Sequence, residues 1–236
     1  MSIVLITPTG ARPEQFEICA GLMKAQDYKD KVLWIIVDDA EPITTDNVQI
    51  DFRENWAIKK IYPHPVWEPG QNTQGRNLAA GINEAKKHKV DAIFIIEDDD
   101  YYKPCYLRLM TEKLKGYDIA GEMNTIYYNV KLRRWIENKN DVWSSLFQTC
   151  FTPKVIPIFE KLYGEKFIDF VLFRQVKKVN LFDEKWSIGI KGQNGRAGIG
   201  AGHQWLNHMA PDPELKKLKE LIGNDVKYYD RISGCI

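Results

Sequence analysis

Apolar, strand-like runs alternate with helical stretches through the first half of this chain, and few folds accommodate that alternation. SIVLIT, KVLWIIVDDA, the weaker AIKKIYP, VDAIFIIE and YDIAGEM read as successive strands. Between them, Pro13 opens a helix to about Gln26 with Phe16, Cys19, Ala20 and Met23 on one face. A second helix runs from about Gly75 to His88 on Leu78, Ala79, Ile82 and Ala85, and a third runs from Pro104 to about Lys115. The pattern predicts an α/β fold, a mostly parallel central sheet with helices on both faces.

The second half reads differently. NTIYYNVKLRRWIENKNDVWSSLFQTCF is aromatic and mixed, which suits antiparallel strands laid beside the parallel sheet. Helices are expected at Pro153 to Lys161, around Asp169 to Gln175 and near Pro213 to Leu221. Between the last two, residues 189–203 carry too much glycine for a regular element and are expected to form a long loop. The chain of 236 residues, 44% of them hydrophobic, is expected to form one domain, with residues 1–115 as one half and 116–236 as the other.

Charge and cysteine usage narrow the function. Thirty-three Lys and Arg nearly balance thirty-two Asp and Glu, so overall charge calls for neither nucleic acid nor an anionic membrane as partner. Cys19, Cys105, Cys150 and Cys235 are widely spaced and suggest reduced thiols rather than a disulfide framework or a zinc site. The N-terminal apolar run is too short for a signal peptide or a membrane span, so a cytoplasmic location is expected.

Acidic residues gather where two apolar runs end: Asp38-Asp39, and the unbroken run Glu97 to Asp100. In open α/β sheets ligands collect at the carboxyl ends of the strands. Carboxylates so close repel by about 1 kcal/mol or more per neighbouring pair unless a cation or a set of donors balances them. Oxygen-only ligation suits Mg²⁺ or Mn²⁺ with a phosphate-bearing substrate, such as a nucleoside diphosphate derivative. The plainer alternative is a solvated loop before a helix N-terminus.

ITPTGARP, WIIVDDA, GRNLAAGINEA and FIIEDDDYYKPCYL, in that order over about residues 3 to 110, resemble the sequential motifs of the GT-A glycosyltransferases, especially glycosyltransferase family 2. The resemblance implies a GT-A fold and transfer of a sugar from a nucleotide-sugar donor, UDP-linked by expectation. It implies that Thr7, Thr9 and Arg12 belong to the donor site and that Asp39, with Asp38, accepts a hydrogen bond from the base. Arg76 would approach the base or the diphosphate. Glu97-Asp98-Asp99 would be the DxD-type motif, with Asp98 near the ribose and Asp99 on the metal. Asp100 is a further candidate metal ligand, and the division of labour among the three aspartates stays open.

Inverting members of that family use a carboxylate to take the acceptor proton, because a hydroxyl is a poor nucleophile at neutral pH. FIDFVLFRQV resembles their helix-opening pattern and offers Asp169, with Leu172 and Arg174 as companions; Ile168 stands where the pattern has an acid. A helix N-cap role for Asp169 is compatible with this. In the glycine-rich stretch, Lys191 and Arg196 bring positive charge to a lid over a diphosphate. His203, by the same resemblance, is a candidate additional metal ligand. Tyr127, Tyr128, Trp135 and Trp143, with Arg133 and Arg134, either border the acceptor site or pack a small sheet. The acceptor stays open among glycan, protein, small molecule and hydroxylated base of viral DNA. Nucleotidyl transfer and a non-catalytic nucleotide-sugar-binding module are the rival readings.

Overall fold

The computed structural model describes residues 1–46, 48, 53–196 and 206–229. The first elements follow the alternation read from sequence: β1 (Ile3–Thr9), α1 (Pro13–Lys24), β2 (Val32–Asp38), β3 (Trp56–Ile61), α2 (Gln74–Ala85) and β4 (Ala92–Ile95). A two-residue β5 (Tyr101–Tyr102) precedes α3 (Tyr106–Leu114) and β6 (Ile119–Glu122). Then come the hairpin of β7 (Thr125–Asn129) and β8 (Arg134–Asn138), β9 (Thr149–Phe151), the one-turn α4 (Ile156–Phe159) and α5 (Ile168–Gln175). The remaining elements are β10 (Val179–Phe182), β11 (Ser187–Lys191), β12 (Ala210–Pro211) and α6 (Lys216–Ile222).

Seven strands form the main sheet in the order β10-β6-β9-β4-β1-β2-β3. β1 pairs in parallel with β2 and β4, β2 with β3, and β6 with β10. β1, β2 and β4 are almost wholly apolar because both faces of the sheet are covered there. In β1, Ile3 and Leu5 join one core cluster while Val4 and Ile6 join the other; in β4, Phe94 faces the first and Ile93 and Ile95 the second. Phe16, Cys19 and Met23 of α1 and Leu107 and Met110 of α3 close the first face. Leu78 and Ile82 of α2 and Leu172 of α5 close the second. Each such side chain, fully buried, contributes about 1.5–3 kcal/mol, and together these fix helix positions on both sides.

The expected antiparallel addition is present, in two places. A second sheet of five strands runs β12-β8-β7-β11-β5. In addition, β9 lies inside the main sheet, antiparallel to both β4 and β6, with Phe151 opposite Ile93 and Ile119. The glycine-rich stretch differs from the expected loop at its start. Residues 189–191 belong to β11 and pair in parallel with Tyr127 to Asn129 of β7. The strand position is filled by glycine because a side chain cannot fit: a Cβ at Gly189 would stand 2.5 Å from the Tyr127 ring.

The ends of β1 and β2 are level, Thr9 opposite Asp38. Chain order reverses at β1, whose neighbours are β2 and β4, so a crevice opens where both acidic groups emerge.

Candidate functional site

A cavity of about 580 Å³ occupies that crevice, a size suited to a small-molecule ligand. Its walls come from both halves of the chain: Thr9 and Arg12 at and after the end of β1, Trp67, Gln71 and Gln74, Glu97 and Asp99, then Tyr127, Phe147, Ile168, Asp169, Lys191 and Arg196.

The acidic run forms a turn, so its carboxylates do not all point the same way. Asp98 points inward, where its Oδ2 accepts the Thr9 hydroxyl at 2.6 Å and its Oδ1 pairs with Arg12 at 2.5 Å. Asp99 meets the other Arg12 nitrogen at 3.2 Å. Asp100 is buried, its Oδ1 accepting the Ile190 amide and the Lys191 ammonium, both at 2.8 Å. Glu97 accepts the Gln74 amide at 3.0 Å. Burial, reinforced by the charge of Asp99, pushes Glu97 up to about 7. Burial likewise raises Asp98 to about 6 against the opposing pull of Arg12, and Asp100 rises well above the usual carboxylate range. Burial alone would lower the pKa of Lys191 and Arg12, yet the surrounding carboxylates outweigh it and hold both protonated.

One oxygen from each of Glu97, Asp99 and Asp100 lies within 4.8 Å of the others. The buried Asp100 Oδ2 has no hydrogen-bond partner. An all-oxygen set with an orphaned carboxylate oxygen fits a hard divalent cation. Asp98 stands outside this set, its two oxygens engaged by Arg12 and Thr9. His203 lies outside the described residues.

The donor-site candidates separate by depth. Thr7 is two residues below the rim of β1, fully buried, and its hydroxyl accepts the Trp34 indole N–H at 2.8 Å. Asp38 is spent on the loop that follows it, accepting the amides of Ala40 and Thr45. Asp39 turns the other way and collects Arg76 Nη2 at 2.9 Å and Arg196 Nη1 at 3.0 Å, together with the Thr73 hydroxyl. The structure thus brings Thr9, Arg12, Asp39, Arg76, Asp98, Lys191 and Arg196 together around the crevice and leaves Thr7 and Asp38 in supporting positions. Trp67 and Thr73 were not singled out from the sequence. Their signal was faint: one aromatic and one hydroxyl in the polar loop before a helix.

Asp169 is the second residue of α5, half-buried on the cavity wall. The N-cap position belongs to Phe167, and Asp169 Oδ1 accepts the Phe170 amide at 2.9 Å within the first turn. Burial pushes its carboxyl up to about 6. Beside it, Trp143 meets the Phe170 edge at 6.4 Å, and the Arg174 guanidinium lies over the Phe170 ring at 3.9 Å. Of the four aromatics considered from sequence, Tyr127 lines the cavity. Tyr128 is buried, donating to Asp212 at 2.8 Å, and Trp135 packs under Lys217. Arg133 donates to the Pro213 carbonyl at 2.9 Å.

This chain shares its fold with S. aureus TarS. The superposition covers 80% of this chain and 37% of TarS at a TM-score of 0.58, with 12% identity. TarS 1-349 in complex with UDP matches at 0.57 and 13% identity, covering 80% of this chain and 60% of that one. TarS 1-349 in complex with UDP-GlcNAc matches at 0.57 and 13%, covering 82% and 60%. The chain therefore spans between about a third and three fifths of these structures, and the likeness is one of fold. No family model and no curated protein matches the sequence. The α/β class, with its mostly parallel sheet and antiparallel addition, is the one expected from the sequence. Among the described residues, no helix is long and apolar enough to cross a membrane.

Proposed function

We propose that the chain is a glycosyltransferase that moves a sugar from a nucleotide-sugar donor, UDP-linked by preference, to an acceptor hydroxyl. One observation carries this reading: Asp169, from the far half of the sequence, lines the same cavity as the acidic turn after β4 and its two cations, Arg12 and Lys191. A donor lying between them would present its diphosphate to the cations and its sugar to Asp169. The fold shared with TarS, whose complexes contain UDP and UDP-GlcNAc, supports the same class of donor.

In the proposed reaction the acceptor oxygen attacks the anomeric carbon, the bond from that carbon to the diphosphate oxygen breaks, and the nucleoside diphosphate departs with the electron pair. Asp169 takes the acceptor proton, and its raised pKa leaves it ionised at neutral pH while making it a better base than an exposed aspartate. Lys191 and Arg12 offset the charge that develops on the leaving diphosphate. Glu97, Asp99 and Asp100 would hold a Mn²⁺ or Mg²⁺, which supplies Lewis-acid charge at the same place. Phe167, exposed and on the cavity wall beside Asp169, offers the acceptor an apolar approach.

The test is a UDP-sugar turnover assay paired with calorimetric UDP binding. Asp169→Asn is expected to cut turnover by about 10²- to 10⁴-fold while UDP affinity is kept. Equal loss of both would remove Asp169 from the role of base, and absence of binding and turnover with UDP-, GDP-, CMP- and TDP-sugars would overturn the reading.

A further inference from the structure

Behind one wall of the cavity, a line of hydroxyl groups runs inward to a buried acid. Tyr127 and Ser145 both line the cavity, with Tyr127 Oη 2.8 Å from Ser145 Oγ. Behind them Ser145 Oγ lies 3.3 Å from Thr125 Oγ1, and Thr125 Oγ1 lies 2.6 Å from Gln148 Oε1. Gln148 Nε2 then donates to Glu122 Oε2 at 2.9 Å. Thr125, Gln148 and Glu122 are fully buried.

Such a line has a direction, because each hydroxyl has one proton to give. Gln148 sets its inner end. The 2.6 Å contact with Thr125 suits O–H···O and is short for N–H···O, whereas the 2.9 Å contact with Glu122 is ordinary for N–H···O. Gln148 therefore turns its carbonyl to Thr125 and its amide to Glu122, whose oxygens also accept the backbone N–H groups of Trp186 and Ser187. Burial raises Glu122 to about 8. A proton arriving there has the Ser187 hydroxyl, 3.1 Å from Oε2, as its acceptor, so Gln148 is not forced to turn. The outer hydroxyls follow from this end. Thr125 spends its proton on Gln148 and accepts from Ser145; Ser145 spends its own on Thr125 and accepts from Tyr127. The opposite order would leave two oxygens 3.3 Å apart with no proton between them. Burial raises Tyr127 to about 12, so the phenol keeps the proton that it gives to Ser145. At the cavity wall the Tyr127 oxygen is then an acceptor and not a donor.

Its place along the cavity says which part of a ligand meets it. The Lys191 ammonium, 2.8 Å from Asp100, lies 5.8 Å from the ring centroids of both Tyr127 and Phe147. The two rings thus begin beside the cation assigned to the diphosphate, in the cavity that Asp169 also lines. In a nucleotide sugar, the group joined to the diphosphate there is the sugar.

We propose that Tyr127 is a specificity-determining contact for the transferred sugar, an acceptor that selects one ring hydroxyl, and that Thr125 and Gln148 are positioning residues that fix this polarity from Glu122 without touching the ligand. The inference rests on the nucleotide-sugar reading and adds to it the group that recognises the sugar. A sugar with a hydroxyl in reach donates to Tyr127, and one without it leaves a desolvated lone pair with no donor.

The experiment is calorimetric binding, in Mn²⁺, of UDP, UDP-glucose, UDP-galactose and UDP-GlcNAc to the intact protein. The tightest of the three sugars is then compared with forms carrying fluorine in place of one sugar hydroxyl at a time, since fluorine has no proton to donate. One fluorinated form is expected to bind about 5- to 20-fold more weakly than its parent. Tyr127→Phe is expected to lose the same factor for the parent and nothing further for that fluorinated form, and to bind UDP as the wild type does. Thr125→Val is expected to match Tyr127→Phe, with the double variant no worse than either. Thr125→Ser, which keeps the hydroxyl, is expected to bind as the wild type. Parent binding unchanged in Tyr127→Phe overturns the contact, and fluorinated forms that all bind as well as the parent overturn its polarity. Unchanged binding in Thr125→Val, or additive losses in the double variant, overturns the relay. Equal loss of UDP and UDP-sugar in these variants overturns the specificity role and leaves both residues as structural support. A wild type that binds neither UDP nor any of the three sugars overturns the nucleotide-sugar reading itself, and this inference with it.

Discussion

The single buried acid at the end of β6 and the acidic turn that follows β4 are treated in opposite ways. Glu122, at the end of β6, is fully buried and ringed by donors from its own chain: Trp186 N at 3.0 Å on Oε1, and Gln148 Nε2, Ser187 N and Ser187 Oγ at 2.9 to 3.3 Å on Oε2. Those contacts tie β6 to the strand entering the second sheet. The acidic turn at Glu97 to Asp100 is balanced instead by two long cationic side chains, with Asp100 Oδ2 left without a partner. Backbone donors around Glu122 cannot leave, whereas a lysine and an arginine can shift when another cation or a phosphate arrives. An acid satisfied by fixed dipoles reads as structure, and one satisfied by replaceable charges reads as a site.

The largest expected effect comes from breaking the first arrangement. Glu122→Ala strands several buried donors and should cost about 3 kcal/mol or more in urea unfolding. A loss below about 1 kcal/mol would show that water replaces the carboxylate and that the closed description of Glu122 is wrong.

Asp99→Asn should do the reverse, leaving the unfolding midpoint nearly unchanged while Mn²⁺-dependent UDP affinity falls about tenfold or more. Equal UDP binding with and without Mn²⁺ in the wild type would make the turn a purely protein-balanced cluster.

A pH series sharpens the contrast on the far wall. The Asp169 carboxyl rises from 3.8 to about 6 in the folded chain. Below about pH 6 it holds a proton and cannot act as base, so turnover should fall about tenfold per pH unit there. Stability should move oppositely, because between about 4 and 6 the folded chain binds this proton more readily than the unfolded one. The contribution is therefore greatest at low pH and is lost as pH rises through 6. Asp169→Asn should flatten the contribution to the melting temperature over that window; an unchanged slope would assign the pH dependence elsewhere.

The smallest effect is expected at Thr9→Val, which removes one hydrogen bond to Asp98 and should cost about 1 kcal/mol in unfolding. No change would mean that Arg12 alone holds Asp98.

Strands β1, β2 and β4 were legible in the sequence because both faces of each are buried, which leaves an apolar run with a polar end. Helices α1 and α2 were legible because one face of each meets that sheet. The short strands β5 and β9 and the edge strand β10 carry no such signature; Thr149 to Phe151 is strand because two neighbours supply its ladder, a tertiary cause. Within the site, the acidic turn stood out as a pattern of charge, but its geometry did not. Thr7 and Thr9 share a face of β1, and only the roughly 6–7 Å between them separates a core hydroxyl from one at the rim. Asp38 and Asp39 look alike in sequence, yet one closes its own loop and the other pairs with Arg76 and Arg196. Arg174, expected as a companion of Asp169, lies over the Phe170 ring. Trp67 became visible only once the fold placed its loop beside Asp39.

The position of β9 has a consequence for how such a chain can change over time. Gly121 pairs with Thr149, so the segment carrying the β7-β8 hairpin leaves the main sheet and rejoins it at adjacent points. A segment anchored in this way can be lengthened, shortened or exchanged for another without moving β1, β2 or β4. Only β7 itself is held in place, because its pairing with Gly189 to Lys191 carries the lysine that reaches Asp100.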